Sequence, residues 1–180
     1  VLDIICGNFL VRNRSVSVRT MCDCAAMARQ SIKKNALESI AFYNKNMQKA
    51  IKERKFVESH MKKALDNNEF IIYLQPKFSI SSGEAIGYEA LVRWQSPEKG
   101  MIYPDGFIPL FEENGFITKL DAYVWECACM VLRDWIDRHF TPLPISVNVS
   151  RANLDDESFL DVLDGLIDKY RLPKHLLELE

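Results

Sequence analysis

The chain has 180 residues, of which 48% are hydrophobic and 27% charged, and its formal net charge is −2. This composition is sufficient for one globular domain with a core, or for a domain and a fragment. The nearly balanced charge argues against a surface that binds a nucleic-acid polymer. No apolar run reaches the roughly 20 residues of a membrane span, and residues 1–15 lack the pattern of a signal peptide.

The chain contains five cysteines: Cys6, Cys22, Cys24, Cys127 and Cys129. An odd number without a signal peptide indicates free thiols in a reducing compartment, so we expect a cytoplasmic protein. Two C-x-C pairs do not have the C-x-x-C spacing of a zinc site. The second pair lies in an apolar helical segment, where buried thiols that behave as small hydrophobic side chains are the favoured interpretation.

The first third of the chain predicts short strands and two helices. Residues 1–13 predict one strand that is interrupted or followed by Gly7, and the alternation of SVSVR at 15–19 predicts a second. Apolar residues recur at helical spacing over 21–32, and residues 39–44 predict another strand. Residues 44–68 are charged, contain no Gly or Pro and have a narrow apolar stripe, which indicates a helix that connects two domains.

From residue 70 the chain predicts βα units. Strands at 70–76 and 84–94 are expected to form a hairpin across SISSG. The elements that follow are helix 107–114, helix 119–138, strand 144–150, helix 155–170 and strand 175–180. This order is typical of an α/β fold with a parallel sheet. Because so few strands are a partial set, we expect a fragment cut from a longer protein at both ends.

Polar residues stand in three of these strands. Glu89, Asn148 and the same-face pair Glu178 and Glu180 are expected near the strands' carboxyl ends, the rim where α/β folds place their sites. Carboxylate and amide oxygens without His or Cys favour Mg²⁺ over zinc. The pattern alone favours plainer explanations: a same-face salt bridge of Glu89 with Arg93, a turn cap at Asn148 and an exposed edge residue at Glu180.

Five motifs, in chain order, resemble the first half of bacterial EAL domains: YLQPKF, GYEALVRW, PDGFIPLFEENGFI, SVNVS and LELE. The resemblance covers about residues 58–180. EAL domains are phosphodiesterases that hydrolyse the second messenger cyclic di-GMP to linear pGpG. The resemblance therefore implies a partial modified (β/α)8 TIM-type barrel whose first strand is antiparallel to the others, which agrees with the predicted hairpin.

Residues 1–55 more weakly resemble the end of a GGDEF domain in tandem GGDEF–EAL proteins, through CGNFLV, MCDCAAMARQSIK and IAFYN. The implied organisation is an α+β fragment of a GGDEF-type domain over 1–43, a connecting helix over 44–57 and the N-terminal half of an EAL domain over 58–180.

The resemblance also implies roles for individual residues. Glu89, the glutamate of the EAL signature, matches a catalytic metal ligand, and Asn148 and Glu180 match two further ligands. Arg93 matches an arginine that holds a substrate phosphate, a role that suits its planar guanidinium. The remaining matches line the nucleotide pocket or flank a guanine base: Gln75, Leu91, Pro104 and Phe107.

The implied reaction is attack of water on a phosphodiester, assisted by Mg²⁺ or Mn²⁺, with Ca²⁺ expected to inhibit. In the family, an aspartate pair, a lysine and a last glutamate lie on later strands and would follow Glu180. We therefore expect an active parent protein and an inactive 180-residue chain. A non-catalytic cyclic di-GMP receptor and a structural module are the alternatives. The expected partners are cyclic di-GMP and a second copy, bound through the EAL domain or the connecting helix.

Overall fold

The computed structural model describes residues 4–12, 15–32, 39–155 and 158–180. The chain divides into two compact units, Val1–Ser59 and His60–Glu180. None of the helices in the described ranges combines the length and the apolar character of a segment that spans a bilayer.

The first unit contains a pair of short parallel strands and a helix. Its elements before residue 45 are β1 (Cys6–Asn8), α1 (Val18–Gln30) and β2 (Ile40–Phe42). Gly7 of β1 lies directly against α1, because a Cβ there would come within 2.0 Å of the Ala25 carbonyl oxygen. The predicted strand at 39–44 is confirmed as β2. Of the strand predicted over 1–13, the described residues 4–12 contain β1 alone, and residues 1–3 and 13 lie outside the described residues.

The strand predicted over 15–19 is wrong, because α1 begins within it. The Ser17 hydroxyl accepts a hydrogen bond from the Thr20 backbone N–H at 3.1 Å, so Ser17 caps the helix. A cap of this kind satisfies a donor at the helix start that otherwise lacks a partner. This local hydrogen bond outweighs the two-residue alternation of SVSVR.

Helix α2 (Lys45–Asp66) confirms the long helix predicted over 44–68. The Asn44 side chain accepts a hydrogen bond from the Met47 N–H at 3.1 Å where the helix begins. The helix is followed by Asn68, whose φ is 56°. Asn is among the residues that adopt this left-handed conformation most readily.

The second unit is a mixed α/β fold. Its strands are β3 (Phe70–Phe78), β4 (Ala85–Ser96), β5 (Gly100–Ile102), β6 (Ile145–Val147) and β7 (Leu177–Leu179). The sheet order is β3-β4-β6-β7, with β5 also paired to β4. Strand β3 is antiparallel to β4, while β6 and β7 are parallel to β4, so the predicted hairpin and the antiparallel first strand are confirmed.

Helices connect the parallel strands of the second unit. They are α3 (Ile108–Asn114), α4 (Ile117–Asp137), α5 (Arg151–Leu154) and α6 (Phe159–Lys169). Gly115 separates α3 from α4 with a φ of 76°, a conformation that glycine adopts without steric cost. The helix predicted over 155–170 corresponds to α6, which begins at Phe159 and so starts later than expected. Residues 156–157 of the predicted range lie outside the described residues.

Strand register determines which side chains share a face of the sheet. Gln75 lies opposite Glu89, Glu89 beside Ser146, and Ser146 beside Glu178. Because side chains alternate along a strand, these residues point to one side of the sheet, which we call the site face.

The opposite face of the sheet packs on an aromatic core. Phe70 and Trp94 lie opposite each other in the β3–β4 pair, with ring centroids 5.2 Å apart. Phe107 and Phe111 contact Phe70 at centroid distances of 5.7 and 6.0 Å. All four side chains are at most 1% exposed. Burial of each such ring stabilises the fold by roughly 1.5–3 kcal/mol and keeps the strands of the site face in place.

Candidate functional site

Two of the three predicted metal ligands are in contact at the site face. Asn148 directly follows β6, and its Nδ2 donates a hydrogen bond to Glu89 Oε1 of β4 at 3.2 Å. Glu89 is half-buried and Asn148 is exposed. The parallel pairing of β4 with β6 therefore brings a carboxylate and an amide together on the site face, although Glu89 lies in the first half of β4 and not near its carboxyl end as predicted.

The backbone around Asn148 is fixed from two sides. The Trp125 indole Nε1 of α4 donates to the Asn148 carbonyl oxygen at 3.1 Å. The Val149 N–H donates to the Glu180 carbonyl at 2.9 Å, and the Glu180 N–H donates to the Val147 carbonyl at 3.0 Å. These bonds extend the β6–β7 ladder beyond the strands and hold the Asn148 backbone in one place.

A buried carboxylate holds the next residues of this segment. Asp121 of α4 is 8% exposed, and its Oδ2 accepts the Ser150 backbone N–H at 3.0 Å and the Asn153 Nδ2 at 2.7 Å. Burial raises the pKa of Asp121 above its ordinary value, the hydrogen bonds from Ser150 and Asn153 oppose that rise, and the charge of Glu112 adds to it. The segment after β6 is thus tied to α4 by charge-assisted hydrogen bonds.

The third predicted ligand, Glu180, is held by a lysine. Lys77 Nζ of β3 lies 3.0 Å from Glu180 Oε1 and 3.1 Å from Glu178 Oε2, and it also hydrogen-bonds the Ser146 hydroxyl. The hydrogen bond to Glu180 raises the pKa of Lys77. Hydrogen bonds from Ser146 and then Lys77 lower the pKa of Glu178. Glu180 therefore lies on the site face with its carboxylate bound to Lys77.

Gly87 leaves room for this lysine. Gly87 lies opposite Lys77 in the β3–β4 pair. A Cβ at position 87 would come within 3.0 Å of the Pro144 carbonyl oxygen and 3.4 Å of Lys77 Cε. Side chains other than hydrogen at this position would crowd the start of β6 and the lysine together.

Arg93 is held by aromatic rings and a carbonyl. Its guanidinium carbon lies 5.7 Å from the centroid of the Tyr73 ring and 5.5 Å from that of Tyr103. Its Nη1 donates to the Val92 carbonyl at 2.8 Å. Within the described residues Arg93 forms no ion pair with Glu89. The same-face salt bridge, one of the plainer explanations, is absent from this arrangement.

The predicted pocket residues are brought together only in part. A cavity of about 310 Å³ is lined by Leu91, Pro104 and Asn148, together with Asp121 and Ser150. Gln75 is exposed on the site face, opposite Glu89. Both placements are compatible with the roles that the resemblance implied, which stay predictions.

Phe107 is not at the rim. It is 0% exposed and packs against Phe70, Trp94 and Phe111. The short 3-10 turn Pro104–Gly106 turns the chain so that Pro104 faces the cavity and the following phenylalanine enters the core. Phe107 therefore lies in the core and anchors the turn that carries Pro104, and its role beside a guanine base stays a prediction.

The donor types at the site fit a hard divalent cation incompletely. Glu89, Asn148 and Glu180 offer carboxylate and amide oxygens, which Mg²⁺ and Mn²⁺ prefer. However, no group of three or more His, Cys, Asp or Glu residues within the described ranges is arranged to hold a metal ion. The described residues therefore offer part of a ligand set, with the Glu180 carboxylate engaged by Lys77.

Sequence reasoning did not select Tyr73, Lys77, Tyr103 or Asp121 as site residues. Tyr73 and Lys77 lie two residues on either side of Gln75, and that spacing alone places them on its face. Asp121 is an acid on the apolar stripe of α4, between the buried Leu120 and Val124, and an acid in such a stripe signals a buried polar contact. The sequence contained no such signal for Tyr103. Its position beside Arg93 depends on the pairing of β5 with β4, and no strand was predicted at β5.

Comparison with known proteins gives the family. The sequence profile of the EAL domain matches residues 58–180. An uncharacterised protein of Mycobacterium tuberculosis is 38% identical over 131 residues, which are 72% of this chain and 43% of that protein. The bifunctional diguanylate cyclase/cyclic di-GMP phosphodiesterase MucR of Pseudomonas aeruginosa is 30% identical over 137 residues, which are 76% of this chain and 20% of MucR.

Solved structures agree with this relationship. The PaMucR phosphodiesterase in complex with c-di-GMP matches with a TM-score of 0.65 and 30% identity, over 69% of this chain and 50% of that chain. The FimX EAL domain of Pseudomonas aeruginosa bound to c-di-GMP matches with a TM-score of 0.60 and 27% identity, over 68% of this chain and 48% of that one. This chain thus spans half or less of the length of these relatives. Its mixed α/β fold and the match of residues 58–180 show that the chain belongs to the EAL domain family.

Proposed function

We propose that this chain is part of a phosphodiesterase that hydrolyses cyclic di-GMP to pGpG, with Glu89, Asn148 and Glu180 as metal ligands. The observation that carries the proposal is the contact between Glu89 of β4 and Asn148, which directly follows β6, with Arg93 on the same face of β4. Membership of the EAL family and the identity to MucR support the choice of substrate.

The side chains of the chain have distinct parts in the proposed reaction. Bound Mg²⁺ or Mn²⁺ would lower the pKa of a water molecule and stabilise the charge on the phosphodiester, with Ca²⁺ as an inhibitor. Glu89, Asn148 and Glu180 would hold the ion, and the guanidinium of Arg93 would bind the phosphate oxygens through paired N–H donors. Gln75, Leu91 and Pro104 would contact the nucleotide.

We further propose that the 180 residues do not hydrolyse the substrate by themselves. The incomplete ligand set of the described residues and the match to half of PaMucR support this. We propose that residues 1–43 are the end of a GGDEF-type domain. We also propose that the protein is cytoplasmic and forms a homodimer through the EAL domain or through α2. All five cysteines are free thiols, in keeping with a reducing compartment.

A non-catalytic receptor for cyclic di-GMP is the second candidate. The observation that favours it is the ion pair between Lys77 and Glu180, because an ammonium group already occupies the carboxylate that a metal ion would need. A receptor requires Arg93 and the cavity but no complete metal site.

The experiment is hydrolysis of cyclic di-GMP in Mg²⁺ by a longer protein that contains these residues, measured as pGpG released. We expect Glu89→Ala to abolish turnover, while binding in Ca²⁺, measured by calorimetry, persists. The matched control is Glu84→Ala, at an exposed glutamate just before β4. Wild-type turnover in Glu89→Ala would contradict the assignment of Glu89, and binding without turnover in the unmodified protein would favour the receptor.

A further inference from the structure

Strand β4 has a neighbour on each side at the level of Arg93. Trp94 pairs with Phe70 of β3 and also with Ile102 of β5, so the two strands flank β4 on opposite sides. Tyr73 lies on β3, and Tyr103 directly follows β5. Continuing the β4–β5 register by one residue places Tyr103 opposite Arg93. A tyrosine therefore approaches the arginine from each side.

The two rings enclose the guanidinium. Its central carbon is 5.7 Å from the Tyr73 centroid and 5.5 Å from the Tyr103 centroid, both within the range of cation–π attraction. Tyr73 is 50% exposed and Tyr103 is 60% exposed, so neither ring serves as core packing. Within the described residues, neither phenolic hydroxyl forms a hydrogen bond, so the rings supply the contact.

The rings orient the arginine without neutralising it. A carboxylate partner would fix a guanidinium and also cancel its charge, whereas an aromatic face fixes it and leaves the charge in place. In the described part of the chain, Arg93 makes one hydrogen bond, from Nη1 to the Val92 carbonyl, and no ion pair. A guanidinium carries five N–H donors, so most of them are left for an anion.

We propose that Tyr73 and Tyr103 are positioning residues that clamp the Arg93 guanidinium so that its remaining N–H groups face a phosphodiester anion. The inference rests on the proposed function of Arg93 and adds the two residues that act through it. The clamp reduces the rotamer freedom that a long, half-exposed side chain would otherwise lose when the anion binds. Tyr103 also links the position of Arg93 to the turn that carries Pro104, because that turn begins directly after it.

The test distinguishes the effect of each tyrosine's aromatic ring from the effect of its hydroxyl group. Tyr73 and Tyr103 are each changed to Phe, which keeps the ring, and to Leu, which removes it. Phe78→Leu is the matched control, since Phe78 is an exposed aromatic residue of β3 that is 59% accessible and does not contact Arg93. Thermal unfolding of each variant confirms that the fold is retained.

The first measurement needs no ligand. The Arg93 side-chain signals in a ¹H–¹⁵N spectrum, assigned with Arg93→Lys, should show a ring-current shift in the wild type. We expect the shift to persist in both Phe variants and in Phe78→Leu, and to diminish in each Leu variant. An unchanged Arg93 spectrum in Tyr103→Leu and Tyr73→Leu would overturn the clamp.

The second measurement is the affinity for cyclic di-GMP in Ca²⁺ by calorimetry. Each Leu variant should bind about two- to fivefold more weakly and each Phe variant like the wild type, as expected for cation–π contacts at exposed sites. Unchanged affinity in both Leu variants, together with weaker binding by Arg93→Ala, would overturn the positioning role alone. Unchanged affinity in Arg93→Ala would instead overturn the phosphate role of Arg93 in the proposed function.

Discussion

Asp121 accepts the backbone N–H of Ser150 at 3.0 Å, so a buried carboxylate of α4 fixes the chain two residues beyond Asn148. The same oxygen, Oδ2, accepts the Asn153 amide at 2.7 Å. An asparagine in place of Asp121 would keep an oxygen acceptor for both donors. An alanine would leave the Ser150 N–H without its acceptor and Asn153 Nδ2 with only its longer hydrogen bond to the Ser150 hydroxyl, at 3.3 Å. The hydrogen bonds rather than the charge are therefore expected to decide the stability of this segment.

We predict that Asp121→Ala lowers the free energy of unfolding by about 1–3 kcal/mol for each donor left buried without an acceptor. Asp121→Asn should lose much less, because its amide oxygen can replace the carboxylate oxygen. Urea unfolding followed by circular dichroism at pH 7 measures both. Equal losses in the two variants would show that the negative charge, and not the acceptor geometry, is what the fold requires.

The free energy of unfolding should depend on pH through the protonation of Asp121. Burial, aided by the charge of Glu112, raises its pKa in the folded state. The folded protein then holds this proton more firmly than the unfolded chain does. The contribution of Asp121 to stability is therefore largest below its unfolded pKa, about 3.9, and is lost as pH rises through the folded pKa.

The wild type should accordingly lose stability relative to Asp121→Asn as pH rises above about 4, by at most about 1.4 kcal/mol per pH unit. The difference should become constant once the pH exceeds the folded pKa of Asp121. Glu112→Gln should reduce the effect, because it removes the charge that adds to the pKa rise. A difference between wild type and Asp121→Asn that grows in favour of the wild type over this range would contradict the raised pKa.

Two glycines of the second unit should respond to alanine in opposite directions. At Gly87 the new Cβ would meet the Pro144 carbonyl oxygen at 3.0 Å, and that carbonyl already accepts the Tyr88 N–H at 2.8 Å. We predict that Gly87→Ala costs about 1–3 kcal/mol, as overpacking does. Gly165 lies within α6 with nothing within 4 Å of a new Cβ.

Gly165→Ala should therefore stabilise the protein by about 0.5–1 kcal/mol, the difference in helix propensity. Thermal unfolding of the two variants side by side tests both expectations. If Gly87→Ala were as stable as the wild type, the close approach of β4 to the start of β6 would have to be looser than the structure shows.

The sequence predicted which residues share a face of the sheet, because the two-residue period of a strand determines that geometry. Glu89 and Arg93 share a face because they are four residues apart on a strand, and β4 confirms that alternation. The position of Asn148 at the end of a buried strand followed from its apolar neighbours, and β6 is fully buried. The stop of α3 at Gly115 followed from the need for a left-handed residue there.

Other features depended on contacts that periodicity does not contain. No strand is predicted at 100–102, so the approach of Tyr103 to Arg93 was not foreseen. It requires Gly100, with a φ of 70°, to reverse the chain beside β4. Phe107 follows a proline turn in a loop-like stretch, but its large apolar ring gains more from the aromatic core than from the rim.

Lys77 of β3 forms ion pairs with Glu178 of β7 and with Glu180 directly after it, and so links the first strand of the sheet order to the last. Its ammonium lies within 3.1 Å of carboxylate oxygens of both Glu178 and Glu180. We predict that Lys77→Met lowers the free energy of unfolding by about 0.5–1 kcal/mol, a modest value because the lysine side chain is 32% exposed and partly screened by water. The loss should shrink as salt is raised from roughly 0.05 to about 1 M, since salt screens the repulsion between the two glutamates. Lys63→Met, near the end of α2, provides the matched control and should change stability little. A loss in Lys77→Met that does not depend on salt would assign the role of Lys77 to the packing of its alkyl chain beside Gly87 instead of its charge.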